Sequence, residues 1–179
     1  MDIHFPMSIR LADGTPGIIR PLEERDAKSL FDMFKSLKSE SRKYLYDNVS
    51  DFSVVEGWCR NKNYCSVLPL ILEVDSKIVA DGTLHRRPNG PLRHVGRIRV
   101  VVKEDYRDYG FGRALVEILI DCARTAGLKL LSCTLADEET TTIKRLEELG
   151  FHAASTIPDY LMDPDGNTHS MITMLRKLD

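Results

Sequence analysis

The run Arg107-Asp108-Tyr109-Gly110-Phe111-Gly112 lies between a valine-rich segment and an amphipathic helical pattern. Glycines at 110 and 112 let the backbone turn tightly and present its N–H groups with no Cβ in the way. At the start of a helix those groups lack intrahelical acceptors, and the helix dipole adds partial positive charge, so the position attracts an anion. Arg107 and Arg113 flank the loop with fixed positive charge. A pyrophosphate suits this arrangement. Two other kinds of phosphate site fail on their own requirements. A dinucleotide-binding turn needs three glycines as G-x-G-x-x-G, and the third position here is Leu115. A nucleoside-triphosphate loop needs Gly-Lys-Ser/Thr, which the chain lacks.

The elements around the loop must hold it. Arg97 to Val102 ends in three consecutive valines, a β-branched run that predicts a strand buried on both faces. Phe111, Ala114, Leu115, Ile118, Leu119, Cys122 and Ala123 then recur at helical spacing, and Gly127 supplies a left-handed stop. Leu128 to Leu135 predicts a strand. Asp137 reads as the N-cap of a helix carrying Ile143, Leu146 and Leu149 and ending at Gly150. From Phe151 two more strands follow, joined around Asp163-Pro164-Asp165-Gly166-Asn167.

Upstream, residues 5–20 hold scattered turn formers (Pro6, Asp13-Gly14, Pro16-Gly17), and order begins at Ile18 to Arg20. Ala27, Leu30, Phe31, Phe34 and Leu37 predict a helix from Arg25 onward. A second helical segment is expected within 39–60, carrying Tyr44, Tyr46, Phe52, Val55 and Trp58. Cys65 to Val74 and Ile78 to Arg86 predict two strands, with Asp75-Ser76-Lys77 as the hairpin turn. The order β, α, α, β-β-β, α-β-α-β-β is an α+β arrangement with a mixed sheet, not a regular βαβ array.

The chain has 179 residues, 42% apolar and 29% charged, which suits one domain with a real core, taken as 1–179. The net charge is −2 and no Lys/Arg run exceeds two residues, so nucleic acid is not the expected partner. The longest apolar stretch, Val67 to Leu72, is interrupted by Pro69 and far too short to span a bilayer. The segment Met1 to Leu11 lacks the apolar core of a signal peptide. Cys59, Cys65, Cys122 and Cys133 form no C-x-x-C pair, and no His/Cys cluster has zinc-ligand spacing. Free, packed thiols in the cytoplasm and no metal are the expectation.

Residues 97–151 resemble the core of the GNAT superfamily of acyl-CoA N-acyltransferases. Its signature, a strand and short loop followed by Arg/Gln-x-x-Gly-x-Gly/Ala opening a helix, corresponds to Val100-Val101-Val102-Lys103-Glu104-Asp105-Tyr106-Arg107-Asp108-Tyr109-Gly110-Phe111-Gly112. The closing Leu149-Gly150-Phe151 resembles a second family motif, and Ile19-Arg20-Pro21 with Asp26 resembles its first strand and helix start. The resemblance implies a mostly antiparallel central sheet flanked by helices and splayed at the acyl-CoA site. It implies acetyl-CoA as co-substrate and direct attack by a primary amine on the thioester. Val100, Val101 and Val102 would pair with pantetheine, and residues 107–112 (Arg107, Asp108, Tyr109, Gly110, Phe111, Gly112), with Arg113, would hold the pyrophosphate. A backbone N–H near Val100 would stabilise the oxyanion. The resemblance leaves a homodimer open.

The chain departs from the family where acid and base should be. The tyrosine donor many relatives carry is Leu146 here, their cofactor-contacting Asn is Glu139, and their strand Glu is nearest to Arg97. His94, Glu104, His169 and Tyr160 remain as candidates, each with a structural alternative. Proton loss through ordered water and backbone carbonyls, with no single essential side chain, is therefore the expectation. A non-catalytic acyl-CoA-binding module stays open as the other reading. Trp58, Tyr44 and Tyr46 either line an acceptor pocket or pack the early helices, and Lys35 to Lys43 reads as a solvated helix face. Asp81 and His85 share one strand face, towards acceptor or solvent. The run from Arg10 to Tyr44 also resembles acyltransferases of protein lysines, but small amines, amino acids, antibiotics and peptide N-termini all stay open as acceptor.

Overall fold

The computed structural model describes residues 3–10, 14–61 and 63–178. Asp13 of the expected Asp13-Gly14 turn lies outside them. One sheet holds eight strands in the order β1-β2-β3-β4-β5-β6-β8-β7. They are β1 (Met7–Arg10), β2 (Pro16–Pro21), β3 (Val67–Val74), β4 (Lys77–His85), β5 (Val95–Val102), β6 (Leu130–Ala136), β7 (His152–Met162) and β8 (Thr168–Lys177). Helices α1 (Ala27–Ser36), α2 (Ser39–Arg42), α3 (Phe52–Arg60), α4 (Phe111–Thr125) and α5 (Thr140–Glu148) complete the chain. Among the described strands only β5 and β6 pair in parallel, because α4 carries the chain from one to the other as a crossover. The α+β class with a mixed, mostly antiparallel sheet is as expected.

Several local readings need correction. Strand β1 precedes the first expected strand, and its pairing with β2 is what orders it. The segment 39–60 is not one helical run but α2, an irregular stretch and α3. Within that stretch Asn48 Oδ1 accepts from Ser50 N and Asp51 Oδ1 from Ser53 N, local bonds that compete with helix and then cap α3. Finally, Asp137 is not the cap of α5. Glu139 holds that place, and Asp137 instead accepts from Ser170 N. The β3–β4 turn is tighter than expected: Asp75 and Ser76, at φ 48° and 61°, form a two-residue hairpin turn, and Lys77 joins β4.

Two apolar layers cover the sheet. On one face α4 lays Leu115, Ile118, Leu119 and Cys122, all buried as the spacing predicts, against Leu72, Leu84 and Ile98. On the other, α1 and α3 bring Leu30, Phe34, Val55 and Cys59 onto Ile71, Ile78 and Val101. The three valines divide accordingly, with Val101 in the second layer and Val100 and Val102 against the first. Of the four free cysteines three are buried, but Cys65 is exposed, because it sits in the loop before β3. Lys43 also departs from the solvated-face reading. Its ammonium bridges Glu138 (3.0 Å) and Asp163 (3.2 Å) and ties the early helices to the β7–β8 hairpin.

Asp81 is a buried polar group set among these apolar layers. Asp81 is aligned between Ile71 on β3 and Val101 on β5 and is only 8% exposed. Burial pushes its carboxyl up to about 7, against the opposing charge of Arg99.

Leu119→Ala is expected to destabilise the fold by about 2–5 kcal/mol; a change under about 0.5 kcal/mol in urea unfolding would contradict the packing of α4. Asp81 supplies a second test. In the unfolded chain it titrates near 4, so from about pH 4 to 7 the folded state binds the proton more tightly and stability falls as pH rises. Asp81→Asn cannot ionise, so it should be more stable than wild type at pH 8, with the advantage shrinking towards pH 4. Identical pH dependence of the two proteins would show that Asp81 is not held as described.

Candidate active site

The centre of the sheet forks. β5 and β6 pair at only three positions, Val95↔Leu130, Gly96↔Leu131 and Arg97↔Ser132. Beyond them β5 keeps its other neighbour, β4, as far as Val102, and β6 keeps β8 as far as Ala136. The facing edges of residues 98–102 and 133–136 therefore have no strand between them. Gly96 sets the crotch of the fork: a Cβ there would stand 2.7 Å from Leu128 and 2.9 Å from Leu131 and Leu84. Ser132 Oγ donates to the Gly96 carbonyl at 3.2 Å, and the His94 carbonyl accepts from the Lys129 and Leu130 amides. Backbone groups left unpaired inside a sheet are costly unless something satisfies them, and an extended polar chain could do so as a strand does.

The glycine loop stands at the open end of β5. Gly110 is in the left-handed region at φ 91° and directly precedes α4. Ala114 N makes the first bond of the helix, to Gly110 O at 3.0 Å, so the preceding amides of Phe111, Gly112 and Arg113 point forward without helical acceptors. Gly112 lies against Val102, 3.4 Å from its Cγ2 to an added Cβ, so the start of α4 abuts the end of β5. The Phe111 side chain is fully buried and offers only its amide, whereas Tyr109 is exposed.

The charges beside the loop are already engaged. Arg107 donates to Val102 O (3.1 Å) and Ser41 Oγ (2.7 Å), and Arg113 pairs with Glu117 at 2.9 Å. Asp108, at φ 67°, pairs with Arg145. The pull on an anion therefore rests chiefly on the amides and the helix dipole. Glu139 turns its carboxylate inward, to Ala136 N at 2.8 Å, at the head of α5. Burial raises its pKa.

The four acid–base candidates are scattered. His94 is exposed and precedes β5 at the closed end of the fork. Glu104 accepts from the Lys38 amide at 3.1 Å. Burial opposes its ionisation, yet bonds from Ser41 and the backbone hold its pKa below the ordinary value. His169 sits among Asp163 (3.2 Å), Glu138 (3.4 Å) and the Tyr44 ring. Tyr160 is exposed on β7, the edge strand. Leu146, at the family's tyrosine position, is core.

Tyr44 and Tyr46 are not merely packing residues. The Tyr44 hydroxyl is buried with no hydrogen bond to a described residue, and burial, with Glu138 beside it, pushes it up to about 12. Tyr46 reaches Thr134 Oγ1 at 3.3 Å, on the unpaired stretch of β6.

Sequence reasoning missed one grouping. On the face opposite α4, cross-strand pairs Asp81↔Val101, Thr83↔Arg99 and His85↔Arg97 set charged and polar side chains together beside the fork. Arg99 is half-buried and makes no hydrogen bond or ion pair with any described residue; burial lowers its pKa despite the charges of Asp81 and Asp47. His85 is lowered by burial and then by Arg97 and Arg99. The period-two spacing put Asp81 and His85 on one face, but only the fold shows that this face is covered.

The chain matches the Acetyltransferase (GNAT) family over residues 29–151, more than two-thirds of its length. Among solved structures, the GNAT domain of S. lividans PAT is 16% identical with a TM-score of 0.81, the match covering 99% of each chain. Ribosomal-protein-alanine N-acetyltransferase from Brucella melitensis is 22% identical with a TM-score of 0.77, over 89% of this chain and 99% of that one. yncA from Salmonella typhimurium, solved with its cofactor acetyl-CoA, is 19% identical with a TM-score of 0.77, over 90% and 93% of the two chains. At these identities the structures establish the fold, and the family match establishes kinship: the chain belongs to the GNAT family of acetyltransferases.

Proposed function

We propose that this protein transfers an acetyl group from acetyl-CoA to a primary amine by direct attack on the thioester. The observation that carries this reading is the fork itself, an unpaired half-strand that runs into a helix start with forward-pointing amides. An extended pantetheine arm with two amides suits the edge of Val100 to Val102, and the pyrophosphate suits the amides from Gly110 to Arg113. In the transition state a β5 amide near Val100 would receive the developing oxyanion. The four unpaired cysteines are consistent with a reducing cytoplasm. Among the described residues no helix is long and apolar enough to cross a membrane. The second reading, a non-catalytic acyl-CoA-binding module, draws on Leu146 and Arg97 standing where relatives carry Tyr and Glu. Release of free thiol from acetyl-CoA in the presence of amines separates the two.

Gly110→Val and Gly112→Val should each weaken acetyl-CoA binding by more than about tenfold, or about 1.4 kcal/mol. At 110 the valine must adopt an unfavourable left-handed backbone, and at 112 it fills the space beside Val102. Unchanged affinity by calorimetry in folded variants would remove the loop assignment. Arg107→Ala should cost less, with an effect that shrinks as salt rises. His94→Ala, Glu104→Ala and His169→Ala should each keep at least about a tenth of kcat/KM, since a true general base contributes about 10²–10⁴-fold. A hundredfold loss in one of them, with acetyl-CoA binding intact, would make that residue the base.

A further inference from the structure

Two opposite charges beside the fork are held apart at a cost. Asp81 on β4 and Arg99 on β5 are diagonal neighbours across the strand pair, about 7–8 Å apart at the backbone. Asp81 is almost wholly buried and Arg99 half-buried, yet no ion pair or hydrogen bond joins them, and neither makes one with any other described residue. A buried carboxylate and a half-buried guanidinium left unpaired destabilise the fold. Ile71 and Val101, in line with Asp81, are apolar and offer it no partner. Neighbouring unpaired groups of opposite charge mark a candidate ligand site.

On the acyltransfer reading of this site, we propose that the acceptor is an amine carrying its own anionic group, as an amino acid does. Arg99 holds the anion and Asp81 takes the amine's proton. Arg99 and Val101 are the β5 residues that face this side along the unpaired stretch, so an acceptor held there lies beside the edge on which a thioester would rest. The surrounding charges are mixed: His85 on β4, Arg97 on β5, Asp47 and Tyr46 in the segment between α2 and α3, and Glu139 at the head of α5. Glu139 is turned to Ala136 N and Asp47 is exposed, which leaves Arg99 and Arg97 as the cations available to an acceptor's carboxylate. A guanidinium suits that carboxylate through two parallel hydrogen bonds.

The step balances. The acceptor ammonium gives one proton to the Asp81 carboxylate, and the freed lone pair forms the N–C bond at the thioester carbon. The C–S bond breaks with its electron pair on sulfur. The proton nitrogen then sheds in becoming an amide neutralises that thiolate.

The test uses the full chain with acetyl-CoA and three sets of amines: free amino acids, the corresponding amino-acid amides, and an N-blocked lysine peptide. Thiol release gives rates, and calorimetry gives acetyl-CoA affinity. Carboxylate-bearing amines should exceed their amides by about tenfold or more in kcat/KM, the scale of one charge-assisted contact. Arg99→Gln should abolish that preference, mainly through KM. Asp81→Asn should lower kcat about a hundredfold or more while leaving acetyl-CoA affinity unchanged and stability undiminished at pH 8, and Asp81→Glu should restore part of the rate. Faster transfer to amides or to the lysine peptide, or a preference that survives Arg99→Gln, would overturn the proposal and leave acyltransfer standing. So would acetyl-CoA binding without transfer to any carboxylate-bearing amine. Failure of wild type to bind acetyl-CoA would instead overturn the acyltransfer reading beneath it.

Discussion

Everything at the site follows from two strands that begin as partners and part after three residues. β5 and β6 are each secured on the far side, by β4 and β8, so neither can swing back to close the gap. Gly96 admits the close approach that fixes where parting begins, and a side chain there would meet Leu84, Leu128 and Leu131. The result is a short run of strand edge in the middle of a sheet. Water can solvate such an edge, but an extended ligand with its own amides can pair with it.

The helices give the opening its ends and walls. α4 packs Leu115 and Leu119 under β3–β5, and this places its amide-bearing start at the tip of β5. α5 begins beyond the end of β6, with Glu139 folded back on Ala136. Across the other face the irregular segment between α2 and α3 is pinned by Lys43 to Glu138 and Asp163, and by Tyr46 to Thr134. Asp163 in turn is held well below the ordinary carboxylate range: burial opposes ionisation, but Asn167, His169 and Lys43 all bond to its charged form. That network ties His169 and Lys43 to one carboxylate.

Much of this was legible in the sequence, and the reasons are local. The helical stripe of α4, the stop at Gly127 and the Arg-x-x-Gly-x-Gly loop are patterns within one segment, and they formed as read. What was illegible depends on pairing between distant segments. β1 is a four-residue strand whose order comes from β2. Residues 43–51 lose helix to side-chain–backbone bonds of Asn48 and Asp51 and to ion pairs made about 95 and 120 residues away. Asp81 carries no sequence mark of burial, because alternation names its face and not what covers that face. The length of β5–β6 pairing, on which the site depends, is written in neither strand.

The central claim is that the unpaired edge of β5 and the start of α4 together bind acyl-CoA. Backbone hydrogen exchange, followed residue by residue with and without acetyl-CoA, tests it most directly. The account predicts new protection on alternate amides of Ile98–Val102 and on Gly110–Arg113, with the paired residues 95–97 little changed. Protection that leaves both stretches untouched and appears elsewhere in the chain would contradict it.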